Sequence, residues 1–180
     1  MSRVVVIEPM DKAVFAAFGD VLDTSGAADK IINQGLCGRF HDRATLDFAQ
    51  GRAGISLFKA EPRQLPLTLD MMERHPDGSQ AFIPMSLDGF LVIVASDDGG
   101  KPGHPRAFQT MPGQAVNFHR GTWHGVLTPL SAPGLFAVVD RIGDGPNLEE
   151  HWFDTPYSVE PAHETAGTGL AQGKNKGGPE

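Results

Sequence analysis

The chain has 180 residues, 40% of them hydrophobic, with a formal net charge of −7. That length predicts one domain with room for a substantial core, and the acidic balance without any Lys/Arg run excludes nucleic acid as an expected partner. No apolar stretch approaches a membrane span, residues 4–7 are too short for a signal peptide, and the single cysteine, Cys37, excludes an intramolecular disulfide or a CxxC metal site and fits a reducing, cytoplasmic setting.

Residues 3–7 read as a strand. Residues 11–18 read as a short helix, with Asp11 as N-cap, an apolar stripe of Val14, Phe15 and Phe18, and Gly19 at the stop. Val21 and Leu22 open a second strand, and 26–29 is a loop. Residues 31–33 and 39–42 are short strand ends rich in polar groups. Residues 54–60 form a strand. Next, Leu65, Leu67, Leu69 and Met71 alternate with Pro66, Thr68, Asp70 and Met72, the period of a half-buried strand. Continuing that register puts Glu73 and His75 on the inward face with Leu67, Leu69 and Met71. A helix is the rival reading, because Leu69, Met72 and Glu73 also suit helical spacing. Pro62, Pro66 and Pro76 bracket the stretch too tightly for a long helix and favour the strand. Residues 90–95 are the most apolar run. Residues 97–103 are a turn, and 135–141 are another apolar strand, ending in Asp140 and Arg141.

With 22 Gly and 14 Pro, short strands and tight turns outweigh helices. The expected class is all-β with a minor helix, a sandwich or barrel. A single domain spans 1–160, and the Gly-, Ala- and Lys-containing segment 161–180 reads as a flexible tail. No GxGxxG, P-loop or GxSxG motif is present.

Two polar clusters flank the buried run. One holds Glu73, Arg74, His75 and Gln80; the other holds His119, Arg120, Trp123 and His124. Buried carboxylates and imidazoles are costly unless paired or liganded, so the clusters point to a polar site in the mouth of a β-barrel. The spacing of Gly113, His119, Gly121 and His124 resembles the second cupin motif, with His119 where the motif has proline. Glu73, His75 and Gln80 keep the offsets of the first cupin motif, in which the residues are His, His and Glu. Residues two apart on a strand point the same way, so such groups can converge on one point. The cupin resemblance implies a jelly-roll barrel. Glu73, His75, Gln80 and His124 then make a mixed N/O set for one divalent first-row metal such as Ni, Zn, Mn or Fe, with no organic cofactor. The alternative is that these groups bond one another without a metal.

Other residues have two readings each. His119 is a functional group or a buried, satisfied histidine. His41 with Asp42 is a site pair or an ordinary turn. Asp140 with Arg141 is a site pair or a structural salt bridge. Lys59 binds an anion or snorkels from a strand end. Trp123 reads as packing. His104, His151 and His163 are assigned no role.

Several segments together carry a closer likeness. They are Phe18 to Val21, Ile32 and Asn33 with Gly35, Arg39 to Asp42, Glu73 to Pro76 leading to Gln80 through Met85, Val116 to Arg120 leading to Trp123 and His124, and the pair Asp140 and Arg141. From about residue 3 to about 153 the chain resembles the ureidoglycolate lyase family. That resemblance implies a cupin-fold homodimer cleaving (S)-ureidoglycolate to glyoxylate and urea in allantoin breakdown, with the strand at 3–7 a candidate shared edge. It implies catalytic roles for Glu73, His75, His119 and His124, with His119 or Glu73 as base or acid. Asn33, Arg39, Lys59, Gln80 and Arg141 would bind the small anionic substrate. The alternatives are a non-catalytic small-molecule-binding cupin, or a cupin isomerase or dioxygenase acting on another small polar acid.

Overall fold

Strands account for about half of residues 3–162, the part of the chain that this computed structural model describes, and helix for very little. In chain order they are β1 (Val4–Pro9), β2 (Gly19–Leu22), β3 (Lys30–Ile32), β4 (Cys37–Arg39), β5 (Arg52–Lys59), β6 (Leu67–Arg74), β7 (Gln80–Pro84), β8 (Phe90–Ala95), β9 (Arg106–Gln109), β10 (Ala115–Phe118), β11 (Trp123–His124), β12 (Thr128–Pro129), β13 (Leu135–Ile142) and β14 (Glu149–Glu160). A single-turn helix, α1 (Lys12–Phe15), follows β1. Asp11 caps it, its Oδ1 accepting from the Val14 amide at 3.0 Å. The helix is shorter than the expected 11–18, because Phe15 and Phe18 both turn into the core.

The strands form a seven-stranded sheet in the order β11-β6-β14-β1-β9-β8-β12 and a five-stranded sheet in the order β2-β10-β7-β13-β5. β11 also pairs with β8, which closes β6, β14, β1, β9, β8 and β11 into a mixed barrel. The five-stranded sheet packs against it, giving the cupin-type jelly roll. β3 and β4 form a separate hairpin.

β8 shows why residues 90–95 are apolar throughout. Leu91, Ile93 and Ala95 face the barrel interior with Val5, Ile7, Leu69, Met72, Trp123 and Val159. Phe90, Val92 and Val94 face the second core with Phe82, Phe118, Phe136 and Val138. A strand buried on both faces needs no polar alternation. Each fully buried large apolar side chain contributes about 1.5–3 kcal/mol.

Three expectations change. Residues 3–7 are not a free edge, because β1 pairs in parallel with both β14 and β9. The strand at 67–74 is present, but its alternation slips. Leu69 and Met72 share the barrel core although three residues apart. The cause lies in the pairing with β14, where Leu69 meets Tyr157 but Met71 meets Trp152. This bulge puts Glu73 on the face opposite Leu69, toward the five-stranded sheet. Finally, β14 continues to residue 160 through a stretch with no strand expectation. Of the expected tail, only Pro161 and Ala162 are described; 163–180, with His163, lie outside the described residues. Among the described residues no helix is long and apolar enough to cross a membrane.

Candidate active site

Glu73, near the end of β6, pairs directly with His124 of β11. His75 follows β6 immediately, and the chain turns through 76–79 before Gln80 begins β7. Two glycines permit this arrangement. At Gly78 a Cβ would sit 2.8 Å from the Arg141 Cβ. Gly121 holds φ +77°, and its amide donates to the His75 carbonyl at 2.9 Å, tying the two polar clusters together. His124 is 1% exposed. Its ring stacks on Phe118 at 4.4 Å with the planes 6° apart, and the His75 ring lies 5.3 Å away. Ligand atoms of Glu73, His75 and His124 all fall within 4.8 Å of one another.

The hydrogen bonds set the tautomers. His75 Nδ1 lies 2.6 Å from the Asn147 carbonyl, and His124 Nδ1 lies 3.0 Å from the Gly125 carbonyl. A carbonyl only accepts, so each Nδ1 donates, and the lone pair of each neutral ring sits on Nε2. Both Nε2 atoms are buried without a partner, and so is Gln80 Oε1. Burial, followed by the nearby His75, lowers the His124 pKa to about 3; the Gly125 carbonyl pulls the other way. The Glu73 carboxyl is raised, first by burial and also by Glu150, against the opposing influence of His75.

Buried polar atoms without partners are rare and costly. Two of the three sit on imidazoles whose other nitrogen is already anchored to a carbonyl, and for His124 it is that anchored Nδ1 that lies 3.9 Å from Glu73 Oε1. Anchored imidazoles near a carboxylate have the chemistry to hold a divalent cation. Glu73, His75 and His124 form such a candidate cluster, and Gln80, at the start of β7, carries a further buried, unpartnered oxygen, Oε1.

A cavity of about 220 Å³ opens beside it, lined by His75, Ser79, Gln80, Asp140, Arg141 and Asn147 among others. This is below the roughly 300–1,000 Å³ of drug-sized sites and suits a metabolite of few atoms. Arg141 Nε and Nη2 donate to the carbonyls of Gln50 and Asp144 at 2.5 and 2.9 Å. It makes no ion pair among the described residues, so its charge is free for an anion. Asp140 receives the Gln80 amide, and burial raises its pKa against the opposing influences of His75 and Gln80. Its Oδ1 is buried and unpartnered. The sequence does carry a signal for Asp140: it continues the inward register of Phe136 and Val138, both core residues. Asn147 anchors His75 through its main-chain carbonyl, which residue identity does not reveal, while its side-chain Oδ1 accepts from the Asp77 amide at 2.7 Å.

The structure brings Glu73, His75, Gln80, His124 and Arg141 together. It places the other expected residues elsewhere. His119 is exposed, with Nε2 3.5 Å from Asp20 Oδ1. It lines a separate cavity of about 280 Å³ with Thr45, Asp47, Ser79 and Arg120, and Ser79 is shared by both cavities. Asn33 sits in the turn between β3 and β4 with φ 53°. Arg39, on β4, bonds His41 Nδ1 at 2.8 Å. Neither lines the 220 Å³ cavity. Lys59 is exposed opposite Leu135, whereas Asp140 pairs with Gly54; the separation along β5 is roughly 17 Å.

The sequence model described as "Ureidoglycolate lyase" matches residues 2–160. The chain is 58% identical to the ureidoglycolate lyase of Rhodobacter capsulatus over 156 residues, covering 86% of this chain and 97% of that protein. It is 52% identical to ureidoglycolate lyase 2 of Rhizobium meliloti, with 86% and 96% covered, and 49% identical to the ureidoglycolate lyase of a Chelativorans species, with 87% and 96% covered. With a match of this identity along nearly its whole described length, the chain belongs to the ureidoglycolate lyase family.

Proposed function

We propose that this chain is a ureidoglycolate lyase that cleaves (S)-ureidoglycolate to glyoxylate and urea. The observation that carries the reading is the group of buried, unpartnered atoms, His75 Nε2, His124 Nε2 and Gln80 Oε1, beside Glu73 and a cavity with an unpaired Arg141. The central carbon of the substrate bears a hydroxyl, a carboxylate and a ureido nitrogen. Cleavage moves the hydroxyl proton away, forms the C=O bond, breaks the C–N bond and delivers a proton to the departing nitrogen.

Arg141, fixed by two carbonyls, binds the substrate carboxylate with a planar fork of donors. Glu73, its proton affinity raised by burial, accepts the hydroxyl proton and returns it to the nitrogen of leaving urea. Phe118 and Phe82 wall the His124 side of the site and exclude water there. His75, His124, Glu73 and Gln80 would hold one divalent cation, which when bound lowers the pKa of a hydroxyl beside it. The same reading makes the protein a cytoplasmic homodimer, with residues 1–160 as the single catalytic domain of each subunit. β5 supports the dimer: it is a sheet edge bearing Ile55 at 77% and Leu57 at 67% exposure, an apolar surface suited to a second copy.

The test is to mix the purified protein with (S)-ureidoglycolate and follow urea, corrected for spontaneous decay of the substrate. Urea release no faster than that decay overturns the activity. Elemental analysis and chelator treatment test the cation. Full turnover in demonstrably metal-free protein removes it from the mechanism.

A further inference from the structure

We propose that Asp140 determines specificity by accepting the N–H groups of the ureido end of the substrate, so that the substrate lies with its ureido group toward Asp140 and its carboxylate toward Arg141. The inference rests on the reading of the site above and extends it to a residue with no role there. Asp140 is the inward continuation of the β13 register set by Phe136 and Val138, and Val139 pairs with Ala81 next to Gln80. The Gln80 amide donates to the Asp140 carboxylate, which holds it in place. That leaves Oδ1 buried and without a donor, in the wall of the same cavity as His75, Gln80 and Arg141.

A buried carboxylate oxygen accepts and does not donate when ionised, so its complement is a group rich in N–H. A urea moiety offers N–H donors on both nitrogens. The substrate carboxylate is the worst occupant of that position, because it would set two like charges together. One end of the cavity therefore repels the carboxylate while Arg141 attracts it, and a single binding direction results. A site built to bond an N–H rejects ligands that lack one, since its acceptor is then left unpaired.

Two unreactive probes separate the ends of the substrate. Ureidoacetate has the ureido group and the carboxylate without the hydroxyl. Glycolate has the hydroxyl and the carboxylate without the ureido group. Titration calorimetry on the protein as purified measures both. Asp140→Ala is expected to weaken ureidoacetate about ten-fold or more and to leave glycolate within about two-fold. Asp140→Asn, which keeps the shape and one acceptor oxygen, falls between wild type and Asp140→Ala and guards against a variant that fails to fold. Equal weakening of both probes, or unchanged ureidoacetate binding in Asp140→Ala, overturns the assignment. Failure of the wild-type protein to bind ureidoacetate overturns the reading of the site, and this proposal with it. Wild-type binding with no selective loss in Asp140→Ala overturns this proposal alone.

Discussion

Acid should unfold this protein in part through one imidazole. His124 is buried against Phe118, and its folded pKa of about 3 lies below its ordinary 6.5. Between those values the unfolded chain takes up a proton that the folded chain refuses. Stability from this group is therefore complete above pH 6.5 and is lost as pH falls toward 3. From pH 7 to pH 5 the loss is about 2 kcal/mol. It is insensitive to whether the folded value is 3 or 4, because at pH 5 the native ring is neutral either way. Glu73 works in the opposite direction: its folded pKa is raised, so native protein gains stability from it as pH falls through that value. The clean measurement is a difference. Urea denaturation of chelator-treated wild type and His124→Gln at pH 7 and pH 5 removes both the cation, which competes with protons for the ring, and most of the Glu73 contribution. Wild type is expected to lose about 2 kcal/mol more than His124→Gln between the two pH values. Identical pH dependence in the two proteins would refute the claim that His124 is held neutral by burial.

Three further outcomes follow from the geometry. Glu73→Gln is expected to lower kcat by about 10² or more, while His119→Ala, changed in the neighbouring cavity, costs under about ten-fold; steady-state kinetics giving the reverse order would move the proton-transfer role to His119. Arg74 joins Glu149 and Asp97 and lies 4.5 Å over the Trp123 ring. Loss of that stacking in Arg74→Ala removes about 0.5–1 kcal/mol, a Tm drop of about 1–4 °C by thermal scanning, with kcat retained; a lost kcat at unchanged Tm would count against a structural role. Ile55→Glu is expected to convert the proposed homodimer to monomer in sedimentation, and an unchanged sedimentation coefficient counts against β5 as its interface.

The all-β class was legible because several strands carry clear patterns, above all the doubly buried run at 90–95, although the barrel strands β9, β11 and β14 were not expected. The candidate cluster of Glu73, His75 and His124 was legible because these residues keep the offsets of two motifs whose strands can converge on one point. What escaped has physical causes. The facing of Glu73 depends on a bulge whose extra residues sit in β14, far away in sequence. β14 itself has many polar residues and Pro156, which hide a strand that pairs with β6 over most of its length and with β1 at its end. Asn147 contributes a carbonyl, which every residue possesses. Asn33, Arg39 and Lys59 have suitable chemistry, but their distance from the cavity is set by topology rather than by residue type.

The first and last described strands lie side by side: Val4 pairs with Ser158 and Val6 with Glu160. This has a consequence for synthesis. A ribosome makes β1 before the other described strands, yet one of its two neighbours, β14, is the last of them to emerge, so the ring of staves cannot shut until residue 160 has left the tunnel. The Asn147 carbonyl that fixes His75 is likewise a late arrival. A nascent or truncated chain lacking β14 thus holds both histidines without the frame that aims them.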